Sequence, residues 1–126
     1  MTLSVQGATS VDSFPSNKVR LYKNDFTPTI DSEVSDFTEA DFSGYSGESV
    51  SGSTGLDANG YPVLTDPAYV FQHNGGATMN TIYGFYIVNT NTTPERVEWA
   101  ERFSTPIDME FDIDVISLTL GYRFGD

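Results

Sequence analysis

The feature that most constrains the fold of this chain lies in residues 107–124 (IDMEFDIDVISLTLGYRF), where acidic and apolar residues alternate strictly from Asp108 to Val115. Carboxylates and apolar side chains take turns over eight positions: Asp108, Glu110, Asp112 and Asp114 alternate with Met109, Phe111, Ile113 and Val115. A period of two is that of a β-strand, on which successive side chains point to opposite faces. The pattern predicts a strand with its carboxylates on the solvent face and its apolar side chains on a core.

The apolar phase of this segment changes after Val115. From there the apolar side chains occupy the even-numbered positions, which are Ile116, Leu118, Leu120, Tyr122 and Phe124. This change predicts a second strand that presents the other parity inward. We expect a β-bulge, or a corner where the chain passes between two sheets, at the point of change.

Short strand patterns continue through the rest of the chain. Residues 18–23 alternate and predict the first strand, and residues 68–72 predict another. Residues 81–88 are apolar at nearly every position, which predicts a central strand covered on both faces. Gly84 inside that strand indicates a bulge or the close approach of another backbone. Residues 95–103 fit a capped helix or a strand, and the neighbouring strand patterns favour the strand.

Two further segments predict turns. Asn59-Gly60 tolerates a positive φ angle and predicts a hairpin tip or surface loop in residues 55–62. Residues 31–49 are polar with isolated apolar residues. A spacing of three indicates one or two helical turns there, carried by Val34, Phe37 and Ala40. A strand through Phe42 and Tyr45 is predicted to follow.

These patterns together predict an all-β protein, an antiparallel β-sandwich or jelly roll in a single domain. We assign the domain to residues 18–126 and an extended N-terminal arm to residues 1–17, which are rich in Ser, Thr and Gly. Spaced apolar residues make the arm a candidate for contact with a neighbouring subunit or partner, through Leu3, Val5 and Phe14. A frayed terminus is an equally good interpretation.

Charge narrows the range of partners. The chain has 18 acidic and 6 basic residues, a net charge of −12. A phosphate backbone would be repelled, so we predict no direct nucleic-acid contact. No stretch approaches the roughly 20 apolar residues of a membrane span, and we expect neither a membrane contact nor a secretory leader.

The excess of acid over base favours docking onto a basic protein surface, because six cations cannot neutralise eighteen acids. The candidate docking residues are the four carboxylates of the alternating segment: Asp108, Glu110, Asp112 and Asp114. Two other interpretations stay open. In the first, the row of four carboxylates is a solvated face that discourages aggregation; in the second, it is a calcium site shared between chains.

Groups suited to catalysis are few. The absence of cysteine excludes disulfides and thiolate zinc sites. His73 is the only histidine and is predicted to be a loop residue with no catalytic role. Carboxylates two residues apart on a strand lie about 6.5–7 Å apart, a spacing that glycosidases use, but an exposed strand face lacks the cleft that separates their pKa values. We therefore predict no enzyme, no cofactor and no metal site.

Four segments resemble a group of small structural proteins of tailed bacteriophages and prophages: residues 21–29 (LYKNDFTPT), 36–45 (DFTEADFSGY), 82–86 (IYGFY) and 99–103 (WAERF). The resemblance covers roughly residues 20–104 and brings no active-site motif with it. It implies a non-enzymatic virion protein, and the role we expect is that of a capsid decoration, or cement, protein.

Such a protein is a small β-rich homotrimer that binds the major capsid protein on the outer surface of the phage head, after synthesis in the host cytoplasm. The alternative is a tail, baseplate or host-glycan-binding module, in which aromatic side chains and acidic loops contact glycan.

Overall fold

The computed structural model describes residues 2–4, 17–49, 53–56, 58–59, 62–65, 68–119 and 121–123. This part of the chain is all-β, as predicted. Its strands are β1 (Thr2–Ser4), β2 (Asn17–Tyr22), β3 (Glu48–Ser49), β4 (Ser53–Leu56), β5 (Pro62–Thr65), β6 (Tyr69–Gln72), β7 (Asn80–Asn89), β8 (Arg96–Met109), β9 (Val115–Leu118) and β10 (Gly121–Arg123). A short 3-10 turn, Val34–Asp36, follows β2.

The strands form three sheets. The main sheet has the order β3-β2-β7-β8, a second has the order β1-β10-β5-β4, and β6 pairs with β9 in a third. Neighbouring strands run antiparallel except β1 and β10, which are parallel. The prediction of an antiparallel β class is confirmed, and the sandwich or jelly-roll arrangement stays a prediction.

Strand β7 is the central strand that the sequence predicted, because side chains cover both of its faces. On one face Phe85 and Ile87 belong to the larger core, which also holds the inward side chains of β6 and β9. On the other face Tyr86 belongs to a smaller cluster, in which its ring stacks on Phe37 at 4.3 Å between ring centroids. Burial on both faces explains the near-continuous apolar sequence of β7.

Gly84 lies on β7 where the backbone of β8, at Glu101, leaves no room for a side chain. A Cβ atom at this position would lie 2.6 Å from the Tyr22 hydroxyl and would also overlap the Glu101 carbonyl oxygen. The pairing of β7 with β8 shifts register between Ile82 and Gly84. Both interpretations of Gly84 from the sequence, a bulge and a close backbone approach, are therefore confirmed.

Other strand predictions are confirmed with small shifts of boundary. The first strand is β2, residues 68–72 contain β6, and residues 95–103 lie almost wholly in β8 rather than in a helix. The predicted hairpin around residues 55–62 is formed by β4 and β5, which pair antiparallel with residues 58–59 in a turn between them.

The strand predicted through Phe42 and Tyr45 is wrong. These residues form a turn, in which the Tyr45 amide donates to the Phe42 carbonyl at 2.9 Å. Gly44 has a φ angle of +94°, a left-handed conformation that glycine adopts at little cost and that ends an extended run. Both aromatic rings still reach the larger core. The helical turns predicted just before this segment amount to the single 3-10 turn at Val34–Asp36.

The single alternating strand predicted for residues 108–115 is also wrong. Strand β8 ends at Met109, residues 110–114 form a turn, and β9 begins at Val115. Met109 is buried, but Phe111, Ile113 and Val115 are 61%, 80% and 50% exposed instead of facing a core. The turn leads from β8 in the main sheet to β9, which pairs with β6 in another sheet, so the predicted corner between two sheets is confirmed and a bulge is not what changes the apolar phase.

The second half of the same pattern is confirmed where side chains are described. Ile116 and Leu118 of β9 are buried in the larger core, as the change of phase predicted. Leu120 and Phe124 lie outside the described residues, and Tyr122 lies in β10, where it pairs with Leu64.

The predicted N-terminal arm is described in part. Residues Thr2–Ser4 form β1, and Leu3 pairs with Tyr122 of the same chain. Val5 and Phe14 lie outside the described residues, together with the rest of residues 5–16. The arm and its contact with a partner stay predictions.

Candidate functional site

Three loops interlock at the end of the main sheet where β7 begins and β8 ends. They are residues 42–45, 73–78 and 110–114, and we call them the three-loop cluster. The Ser43 amide donates to the Thr78 carbonyl at 3.0 Å, and the Asn74 amide donates to the Ser43 carbonyl at 3.0 Å. The His73 amide donates to the Asp114 carbonyl at 3.1 Å, which joins the third loop to the second.

His73 is the first residue of the second loop and is fully buried. Its Nδ1 accepts a hydrogen bond from the Gly75 amide at 2.9 Å, and its Nε2 lies 2.9 Å from the Thr78 carbonyl oxygen. Because Nδ1 is an acceptor, we assign the neutral tautomer with the proton on Nε2, which donates to Thr78. The ring also stacks on Phe42 at 5.9 Å.

The loop position of His73 is as predicted, but its burial is not. A lone histidine before Asn-Gly-Gly gave no sign that the chain would wrap around the ring and bond both nitrogens. The signal in the sequence was the pair of glycines: Gly75 has a φ angle of +89°, and a Cβ atom on Gly76 would lie 2.6 Å from the Ser43 Cβ. Such a tight wrap requires residues without side chains.

The turn at residues 110–114 is held by the side chain of Asp114. Its Oδ2 accepts hydrogen bonds from the amides of Glu110 at 2.8 Å and Phe111 at 2.9 Å. The Asp114 amide donates to the Phe111 carbonyl at 2.9 Å, the bond that closes a β-turn. The two amide donors, Glu110 first and Phe111 second, hold the pKa of the Asp114 carboxyl below its usual range.

The four carboxylates of the alternating segment do not share one strand face. Asp108 lies near the end of β8 and accepts a hydrogen bond from the Thr81 hydroxyl at 2.9 Å. Glu110 and Asp112 belong to the turn, Asp112 being exposed and Glu110 half-buried. The Asp114 carboxylate is directed at backbone amides and stabilises the turn, so it is the least suited of the four to bind a partner.

The charge of these carboxylates is not neutralised by any described cation. The ion pairs in the described ranges use Arg20, Lys23, Arg96 and Arg102, and their partners are other acids: Asp25, Glu39, Asp41, Glu95 and Glu98. This agrees with the expectation from composition that the chain has too few cations for its acids.

Sequence reasoning missed the apolar residues beside these carboxylates, because the alternation assigned them to the core. Five large apolar side chains, between 49% and 80% exposed, lie on neighbouring segments: Val70, Met79, Phe111, Ile113 and Val115. We call these five residues the apolar surface, and the pair Phe111 and Ile113 the apolar tip. Among the described residues Ile30 is the other large apolar side chain with such exposure, and it lies on a different loop.

The strand pairing shows that the five residues lie on adjoining segments. Val70 and Val115 are on the outer face of the β6–β9 sheet, where Gln72 is paired with Val115. The Gln72 side chain donates to the Asp112 carbonyl at 2.9 Å, so the turn lies against this face. Met79 directly precedes Asn80, which pairs with Met109 at the start of the turn.

A metal site needs a cluster of ligating side chains, and a membrane-spanning helix needs a long apolar segment. Among the described residues no group of three or more His, Cys, Asp or Glu side chains is placed to hold a metal ion. The described helical structure also contains no segment long and apolar enough to cross a membrane.

Fold and surface define an all-β protein that presents exposed apolar side chains next to carboxylates, and in the described part of the chain these carboxylates have no cation partner. Comparisons with protein-family models, with curated proteins and with solved structures found no match.

Proposed function

We propose that this protein is a capsid decoration protein of a tailed bacteriophage, a non-enzymatic virion protein that binds and stabilises the lattice of the major capsid protein. The observation that carries the proposal is the acidic edge formed by Asp108 at the end of β8 and by Glu110 and Asp112 in the adjoining turn, which form no ion pair with the side chains that the structure describes. The resemblance of residues 21–29, 36–45, 82–86 and 99–103 to small phage virion proteins supports the choice of partner.

Electrostatics explains how such a protein would find a shell. A net charge of −12 on a small domain attracts it to a lattice with basic patches and repels it from packaged nucleic acid. A homotrimer would engage several copies of such a patch at once, and linked contacts raise the avidity above the affinity of a single contact. The attraction acts over a Debye length of about 8 Å at physiological salt, so binding weakens as salt rises.

A non-enzymatic role agrees with the chemistry of the titratable groups. His73, the one histidine of the chain, is buried with both ring nitrogens in hydrogen bonds to backbone groups. The Asp114 carboxylate is likewise bonded to backbone amides. Neither group is free to exchange a proton with a substrate, and acid–base catalysis needs such a group at a cleft.

We further propose a homotrimer on the outer surface of the head, assembled from protein made in the host cytoplasm. The apolar residues Leu3, Val5 and Phe14 of the predicted arm are the proposed contacts between subunits or with the shell. Light scattering coupled to gel filtration measures the oligomeric state, and a monomer at micromolar concentration would remove the trimer from the proposal.

The proposal is tested with heads from a phage that lacks the gene for this protein. The variant Glu110→Gln with Asp112→Asn removes two charges from the acidic edge, and Asp31→Asn with Glu48→Gln removes two charges elsewhere. We expect the first variant to cosediment with heads several-fold more weakly than the wild type at low salt, and the second to bind like the wild type. Absence of binding by the wild-type protein would refute the proposed function.

A further inference from the structure

The apolar surface is unusual because its five exposed apolar side chains lie on adjoining segments of a strongly charged chain. Single exposed apolar residues are common on proteins, but a group of them on adjoining segments is typical of a contact surface. Here the group comprises two valines on the outer face of the β6–β9 sheet, one methionine before β7 and the two residues of the apolar tip.

The turn holds the apolar tip outward. Phe111 is fixed by the hydrogen bond from its amide to Asp114 and by its carbonyl, which accepts from the Asp114 amide. The loop of residues 73–78 packs against the turn. The His73 amide donates to the Asp114 carbonyl, and a Cβ atom on Gly75 would lie 3.5 Å from the Asp112 Cβ, at van der Waals contact. A surface already held in its binding conformation loses little entropy when a partner binds.

The carboxylates next to the apolar tip indicate which class of partner binds this surface. Asp112 lies between Phe111 and Ile113 in the sequence, Glu110 precedes them, and neither forms an ion pair within the described ranges. A second copy of this chain, an anionic membrane or a nucleic acid would each bring like charge against these carboxylates. A partner protein with cations around an apolar site would be attracted instead.

We infer that the apolar surface is a protein-docking site whose tip, Phe111 and Ile113, inserts into an apolar pocket rimmed by lysine or arginine side chains. Aromatic and aliphatic anchors in a pocket supply most of the affinity at protein interfaces, and a charged rim supplies orientation. The inference takes the identity of the partner, the major capsid protein, from the proposed function, but the surface itself is argued independently.

The test replaces the apolar tip and keeps the charge. The variant Phe111→Ser with Ile113→Ser is compared with Ile30→Ser, which removes a fully exposed apolar side chain from another loop. We expect the tip variant to bind heads about tenfold more weakly or worse, and Ile30→Ser to bind like the wild type. The loss should persist at about 0.5 M salt, where the charge contribution is screened. Circular dichroism and thermal unfolding confirm that both variants fold.

The outcomes separate the two proposals. If the wild type binds heads and the tip variant binds equally well, the docking inference is wrong and the proposed function stands. If the wild type does not bind heads, retention on beads carrying benzyl quaternary ammonium groups decides the inference, with plain quaternary ammonium beads as reference. Extra retention on the benzyl beads that depends on Phe111 and Ile113 supports the docking site, and equal retention of wild type and tip variant overturns it.

Discussion

At the scale of single residues, Asp114 links the sequence to the candidate site. Its carboxylate satisfies two backbone amides that would otherwise point into the turn without an acceptor, and an ionised acceptor makes stronger hydrogen bonds than a neutral one. The residue reads as one more member of an acidic row, yet it is the one that shapes the turn. The exposure of Phe111 and Ile113 follows from this bond pattern.

Replacing Asp114 by alanine should loosen the turn without unfolding the protein. The amides of Glu110 and Phe111 lose their acceptor, and we expect their hydrogen exchange to accelerate at least several-fold while exchange in β7 is unchanged. The matched control is Asp112→Ala, because the Asp112 contact in the turn is made by its carbonyl and survives the substitution. Unchanged exchange at both amides in Asp114→Ala would contradict the role of the carboxylate.

The same bonds predict a pH dependence. The pKa of Asp114 is lowered in the folded protein, so its stabilisation is complete above the ordinary aspartate value of about 3.9 and is lost as the pH falls through the lowered value. We expect the amide shift of Phe111 in NMR spectra to stay constant from neutral pH down to about 4 and to change only below it. An Asp114→Asn variant should show no such step, and a midpoint near neutral pH would contradict the assignment.

At the scale of elements, the alternation of side chains located strands well and turns poorly. Strands β2, β6, β7 and β8 follow local patterns, because a period of two or a continuous apolar run records which faces are covered. The hairpin of β4 with β5 was indicated by its turn residues instead, Asn59-Gly60. The turn at residues 110–114 contains no glycine, proline or asparagine, and its acid–apolar alternation continues that of the strand before it.

Strand β8 ends instead because the Asp114 carboxylate accepts hydrogen bonds from two backbone amides of the turn. In addition, the amide of His73, which lies far away in the sequence, donates to the Asp114 carbonyl. The alternation of side chains along one segment carries no information about a contact with a residue so distant in the sequence. The candidate docking carboxylates were thus identified from their alternating positions and from the acidic composition, whereas the apolar tip beside them became visible only once the turn was known.

Gly84 allows a direct test of the element pairing in the main sheet. Replacement by alanine puts a methyl group against the Tyr22 hydroxyl and the Glu101 backbone, so β7 and β8 must separate. We expect the free energy of unfolding in urea to fall by about 1–3 kcal/mol. The control is Gly47→Ala, whose Cβ would lie 3.4 Å from its nearest neighbours, an ordinary contact. Equal stability of the two variants would show that the strands are not so closely paired.

At the scale of the whole molecule, charge and apolar exposure act on the same surface. The net charge of −12 opposes self-association through the acidic edge, so the proposed trimer has to form through other residues, such as the predicted arm. The apolar surface is then left for a partner of opposite charge.

The central claim, that this protein decorates a phage head, is tested most directly by its copy number in purified virions, measured by quantitative mass spectrometry against the major capsid protein. A head lattice repeats its binding surface over the entire shell, so the account predicts hundreds of copies per virion. A tail has one axis of low rotational symmetry, so about a dozen copies or fewer would place the protein there and contradict the account.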